Sequence, residues 1–210
     1  LLDTTTLYNL AGEPMPANKS EIIRKMVSTG LIIDNMQNGY DITNLGACLL
    51  ANDISEFPSI GSKSVRIIKY AGLDKRRSEL EKEGIKGYAA GFSGMIRFIM
   101  RALPSEEIYI DGVRRTISIY PETAIREVIA NALIHQDFTI GGSGPVIEIY
   151  ANRVEVTNPG ASLIEPDRML DERRSRNEKL ASTMRWLGLC EERGGGLDKT
   201  MIEVEDRHLP

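Results

Sequence analysis

The chain has 210 residues, 41% of them hydrophobic, with 30 acidic side chains against 26 basic ones and a net charge of −4. No apolar run approaches the ~20 residues of a membrane-spanning helix, and the mixing of charge signs argues against a broad nucleic-acid surface while leaving room for a local basic patch. Cys48 and Cys190 stand apart, without the spacing of a zinc site or a disulfide framework, so reduced thiols and a cytoplasmic setting are expected. Nothing at the start resembles a signal peptide. With Leu1 first and Pro210 last, the sequence reads as a piece of a longer protein.

Residues 19–33 predict a short helix with Ser20 as N-cap and Gly30 as its stop. Asn38-Gly39 signals a hairpin between Leu31-Ile32-Ile33 and Tyr40-Asp41-Ile42, and Thr43 to Leu50 starts another helix. Helix, two strands and helix make residues 1–60 a winged-helix-like lead-in segment, or else a packing module beside a main domain at 61–210. Val65–Tyr70 reads as a strand stopped by Gly72, and the charged stretch Asp74–Glu83 as a loop. Tyr88–Leu103 keeps a helical period through Ile96, Ile99, Met100 and Leu103. Glu107–Ile110 and Thr116–Tyr120 form a hairpin across Asp111-Gly112.

Residues 122–137 predict an amphipathic helix opened by Pro121. Ile125, Val128, Ile129, Ala132 and Leu133 make its core stripe. Glu127 and Asn131 lie one turn apart on the other side, and His135 follows one turn later, nearer the apolar edge. A carboxylate and a carboxamide facing one way suit a magnesium–phosphate site, because the amide oxygen is a hard ligand and the carboxylate can orient or deprotonate water. A solvated helix face explains the same pair. With only His135 and His208 in the chain, a zinc site is not expected, and His135 reads as structural, bonded to Asp137 or capping the helix end.

Val146–Tyr150 and Arg153–Thr157 alternate around Ala151-Asn152 as an antiparallel hairpin that ends at Asn158-Pro159-Gly160. A polar loop runs from Asp167 to Arg176, Asn177 caps a helix through Leu187, and Gly194-Gly195-Gly196 leads into a last helix from Leu197. Trp186 is spaced as a core residue with Leu180 and Leu187. Gly160 would let backbone approach a base or ribose, or make a plain turn. The triple glycine would present amides to phosphates at a helix start, or serve as a connector. Helices segregated from largely antiparallel strands imply an α+β sandwich.

Taken together, Glu127-x-x-x-Asn131-Ala132-Leu133-x-His135-x-Asp137, the run Asn152 to Gly160, Ser175-Arg176-Asn177 and Gly188-Leu189-x-Glu191-x-x-Gly194-x-Gly196 resemble the C-terminal domain of RecG-related ATP-dependent helicases. That domain is a divergent relative of the Bergerat-type ATPases (gyrase, histidine kinases, MutL). Thr43-Asn44-Leu45-Gly46-x-x-Leu49-Leu50 and the strand at 65–72 resemble the family's lead-in, so the resemblance spans roughly residues 20–205. It implies a Bergerat-like two-layer α/β sandwich with a mixed, largely antiparallel sheet, and a site for ATP and Mg2+. Glu127 would then be the catalytic base and Asn131 the metal ligand. Asn158 and Gly160 would stand at the adenine, where the ATPases place an aspartate, and Gly194, Gly195 and Gly196 would form a short phosphate lid. His135, Asp137, Arg176 and Asn177 complete the expected nucleotide-binding set. The family's full members add a Schlafen/AlbA-type nucleic-acid-binding domain and include transcriptional regulators. The expected partners are therefore an adenine nucleotide, DNA through the lead-in or further segments, and a second copy of the chain, with no membrane. The alternative is a degenerate, non-catalytic module for dimerisation or DNA-linked regulation.

Overall fold

The computed structural model describes residues 1–164, 175–191, 201–202 and 204–205, with backbone alone at 108, 110 and 116. A helix absent from the sequence reading comes first: α1 (Thr4–Ala11) is capped by Asp3, whose carboxylate accepts from the Thr6 amide at 2.9 Å and hydroxyl at 2.8 Å. The next helix, α2 (Lys19–Ser28), is capped by Asn18 rather than by the expected Ser20, which instead donates its amide to the Asn18 side chain. The strands β1 (Ile32–Asp34) and β2 (Tyr40–Ile42) pair antiparallel across a loop in which Asn35 accepts from the Gln37 and Gly39 amides. Thr43 caps α3 (Asn44–Leu50), whose last five residues are buried.

Two single-turn 3₁₀ segments, Ile54–Glu56 and Gly61–Lys63, lead into the main sheet. Its strands are β3 (Arg66–Tyr70), β4 (Ser78–Glu83), β7 (Val146–Ile149) and β8 (Val154–Thr157), ordered β4-β3-β7-β8. The β3–β7 pair is parallel and the other two are antiparallel, giving the mixed sheet that the sequence implied. The stretch expected as a loop is partly strand β4. Its side chains are all exposed on the sheet edge, and ion pairs Arg66–Glu81 and Lys69–Glu79 tie it to β3. An exposed edge has no apolar alternation to betray it. Between β4 and β7 come α4 (Tyr88–Ala102), the separate hairpin β5 (Ser105–Ile110) with β6 (Val113–Ser118), and α5 (Glu122–His135).

Alternation along the strands divides the sheet. Ile67, Ile147 and Ile149 face the helices, where they join one buried cluster with Leu7, Leu31, Leu49, Phe92, Ile129, Leu133 and Met184. Residues from both sides of position 60 therefore share one core. The other face carries Ile68, Tyr70 and Tyr150, with the Tyr70 and Tyr150 rings stacked at 5.0 Å. The helical layer also includes α6 (Glu178–Trp186), which buries Leu180, Ala181 and Met184. Trp186, expected in the core, is 39% exposed and lies under the Lys25 ammonium at 4.9 Å. Its helix buries the residues on the other side instead. The architecture is α+β, with helices against one sheet face.

Candidate functional site

Half of helix α5 is buried. Ala124, Ile125, Ile129, Ala130, Ala132, Leu133 and Ile134 are inside, because the helix packs against both α4 and β8. Past its first turn only Arg126, Glu127, Val128, Asn131 and His135 keep partial exposure. Glu127, Asn131 and His135 stand at i, i+4 and i+8, so these three form one line along the helix, while Arg126 lies over the Phe92 ring.

At the upper end of this line, the Asn131 amide nitrogen donates to one Glu127 oxygen at 3.2 Å. The other Glu127 oxygen accepts from the Glu191 backbone amide at 3.4 Å. The carboxylate is thereby fixed, and among the described residues the Asn131 amide oxygen has no donor. Cys190 beside it feels the same charge: burial first, then the negative Glu127, pushes its thiol up to about 11. Glu191 is thus seated on Glu127, while residues 192–200, Gly194, Gly195 and Gly196 among them, lie outside the described residues.

At the lower end, ~6 Å further along the axis, the remaining expected residues converge on the end of α5. The Asp137 amide donates to the Pro159 carbonyl at 2.7 Å, docking the Asn-Pro-Gly turn onto the helix terminus. Gly160 follows at φ 112°, and a Cβ there would lie 2.8 Å from the Asp137 Cβ and 3.1 Å from Arg176 Nη1. The glycine is required both by its backbone and by this close approach. Asn158 is half-buried, and no described residue hydrogen-bonds its side chain.

Arg176 donates to the Ala161 carbonyl at 2.7 Å and the His135 carbonyl at 3.4 Å, and stands 3.9 Å from the Asp137 carboxylate. Asn177 precedes α6 but makes no side-chain cap bond there. Its amide instead donates to the Ile134 and Gln136 carbonyls, both at 2.7 Å. These are among the last carbonyls of α5, which lack partners within the helix. Arg176 and Asn177 therefore direct these donors at backbone carbonyls. The His135 ring is held below its ordinary value by burial and by Arg176, which favours the neutral imidazole. Asp137 is held low by the Thr139 hydroxyl and amide.

The structure thus places Glu127 with Asn131 on α5, and His135 with Asp137, Gly160, Arg176 and Asn177 at its end, while among the described residues the Asn158 side chain bonds to neither group. Among the described residues no cluster of three or more His, Cys, Asp or Glu forms a metal cage. Magnesium does not need one, since it keeps several waters and takes phosphate oxygens as ligands. A groove of about 420 Å³ between α1 and α4, lined by Asn9, Lys86, Gly91 and Arg97 among others, shares no residue with this site. Sequence reasoning missed the Glu191 amide, a backbone contact with no side-chain signature, and the buried Lys63, whose partners come from a loop more than 70 residues away.

Residues 142–210 match the family model described as "Putative ATP-dependent DNA helicase recG C-terminal". Asn158, Gly160, Arg176, Asn177 and the triple glycine fall inside the matched segment, while Glu127 and Asn131 precede it. Among solved structures, the chain is similar to the DIP2311 protein from Corynebacterium diphtheriae, with a TM-score of 0.70 and 19% identity. That likeness is one of fold, and it covers 95% of this chain and 39% of the other. No curated protein matches the chain. Among the described residues no helix is long and apolar enough to cross a membrane.

Proposed function

We propose that this chain, which carries a RecG-related, ATPase-like domain, binds ATP with Mg2+ along the polar line of α5. Asn131 would supply its amide oxygen to the metal, and Glu127 would orient a water. Asn158 would accept from the adenine amino group, with Gly160 allowing the base to come close, and the amides of Gly194, Gly195 and Gly196 would meet the phosphates. His135, Asp137, Arg176 and Asn177 would hold the wall between them. The metal, when bound, would supply charge neutralisation of the phosphates.

The observation that carries this reading is the Glu191 amide seated on Glu127. It brings Glu191, which precedes the triple glycine in sequence, to the one carboxylate–carboxamide pair on the helix. Calorimetric titration tests it: the protein binds ATP with Mg2+, and Asn131→Ala weakens binding at least tenfold, whereas no heat from the unmutated protein sinks the proposal.

Turnover is a separate matter. The Glu127 carboxylate already accepts two N–H bonds, and Asn158 lacks the charge that strengthens a bond to the adenine amino group. Both favour a second reading, a module that holds nucleotide without hydrolysing it and serves dimerisation or DNA-linked regulation. Phosphate release that Glu127→Ala abolishes while binding persists would decide for catalysis. DNA binding through the lead-in is the weaker proposal, because residues 31–43 carry Asp34 and Asp41 and no Lys or Arg.

A further inference from the structure

Lys63 ends the second 3₁₀ turn and is 2% exposed. An ammonium has three donors and no acceptor. Here all three find backbone carbonyls: Asp137 at 3.4 Å, Ser143 at 3.2 Å, and Ile140. These carbonyls belong to the segment 136–145 that joins α5 to β7, so one side chain gathers the whole loop around a buried cation.

The clasp is reciprocal. Tyr88 donates its hydroxyl to the Lys63 carbonyl at 2.8 Å, and Gln136 donates to the Tyr88 oxygen at 2.8 Å. Gly144 is pressed against the same turn, where a Cβ would lie 2.3 Å from the Ser64 carbonyl oxygen. The loop, the 3₁₀ turn and the start of α4 are thereby locked to one another.

What gives the clasp a consequence is Asp137. Its carbonyl is held by Lys63, and its amide donates to the Pro159 carbonyl at 2.7 Å. Its Cβ is the atom that Gly160 makes room for. One residue therefore transmits the position of the Lys63 ammonium to the Asn158-Pro159-Gly160 turn. We infer that Lys63 is a positioning residue for the base end of the nucleotide site, setting the Asn-Pro-Gly wall from beneath through the Asp137 backbone. The inference rests on the reading of residues 158–160 as the adenine wall, but its mechanical part stands on Lys63, Asp137 and Pro159 alone.

The experiment uses the whole chain with Lys63→Met, which keeps the stem and removes the ammonium, and reads two quantities. The first is hydrogen exchange of the Asp137 amide, expected to quicken at least tenfold. The second is the ratio of ATP to GTP affinity, expected to fall towards one because only the base end is displaced. A lysine that merely stabilises the fold would weaken both nucleotides alike and leave their ratio unchanged, and that result overturns the inference. Unchanged exchange at Asp137 overturns it too. If Lys63→Met does not fold, Lys63→Gln, which removes the charge but keeps an N–H donor, takes its place, and the same two outcomes decide. If the unmutated protein binds no nucleotide, the proposed function fails, while the exchange measurement still decides whether Lys63 sets the turn.

Discussion

Replacing Gly160 with alanine probes the joint between the Asn-Pro-Gly turn and α5. Two costs add. The backbone at φ 112° lies where only glycine is comfortable, and holding another residue in such a region costs ~1–3 kcal/mol. The new methyl would also meet the Asp137 Cβ at 2.8 Å and Arg176 Nη1 at 3.1 Å. The arginine tip can swing aside cheaply, but the Asp137 Cβ is fixed by its backbone bond to Pro159, and overpacking of this kind costs a further ~1–3 kcal/mol. A total near ~3 kcal/mol is expected. With a urea slope of ~2–3 kcal/mol/M for a chain of this size, the unfolding midpoint falls by about 1–1.5 M. Gly142→Ala is the control, since φ is 90° there but no atom lies within 4 Å of the added carbon. It bears the backbone cost alone. Equal midpoints for the two variants would refute the close approach to Asp137, and a Gly160→Ala midpoint within ~0.3 M of the parent, under ~1 kcal/mol at that slope, would refute the whole argument.

Asn177→Ala leaves the Ile134 and Gln136 carbonyls without their donor, so a loss of ~1–3 kcal/mol is expected in urea unfolding, and an unchanged midpoint would contradict the role of these bonds. His135 is held below its ordinary 6.5 in the folded chain by burial and Arg176. The unfolded chain then binds the extra proton first, so this residue's contribution is present above pH 6.5 and lost as pH falls through the window below it. The urea midpoint should drop between pH 7 and 5, and His135→Gln should flatten that drop; an identical pH profile in the variant would contradict the assignment. Cys190, with its thiol pushed up to about 11, should alkylate slowly at neutral pH. Glu127→Gln removes the negative neighbour and should speed the reaction, whereas an unchanged rate would place Glu127 elsewhere.

Much of this was legible because local chemistry and packing agree. Helix α5 announces itself through Ile125, Ile129 and Leu133, and packing against α4 and β8 then buries what the period assigned to the core except Val128, which keeps partial exposure. The β5–β6 turn was readable from Asp111-Gly112, which adopt φ 51° and 78° as a two-residue hairpin connection requires. The misses share one cause, that their determinants are not periodic. Strand β4 is charged at an edge and held by ion pairs. Helix α1 is eight residues long, opens with three threonines and depends on its Asp3 cap. Asn18 outcompetes Ser20 for the α2 cap, a choice of register between two good capping residues. Of the candidate site, the α5 line and the Asn-Pro-Gly turn were readable as motifs. That Arg176 and Asn177 spend their donors on the end of α5 was not, because it depends on tertiary approach across more than 40 residues.

The central claim is that a metal–nucleotide complex sits against Asn131 and Glu127. Its most direct test replaces Mg2+ with Mn2+, which favours the same oxygen ligands, and follows the amide resonances of the isotope-labelled protein. With ATP present, the Asn131 side-chain amide and the Glu191 backbone amide should broaden first and most strongly, and without ATP they should not. Broadening centred elsewhere, for instance on Asn9 and Gly91 in the α1–α4 groove, or none at any nucleotide concentration, would contradict the account.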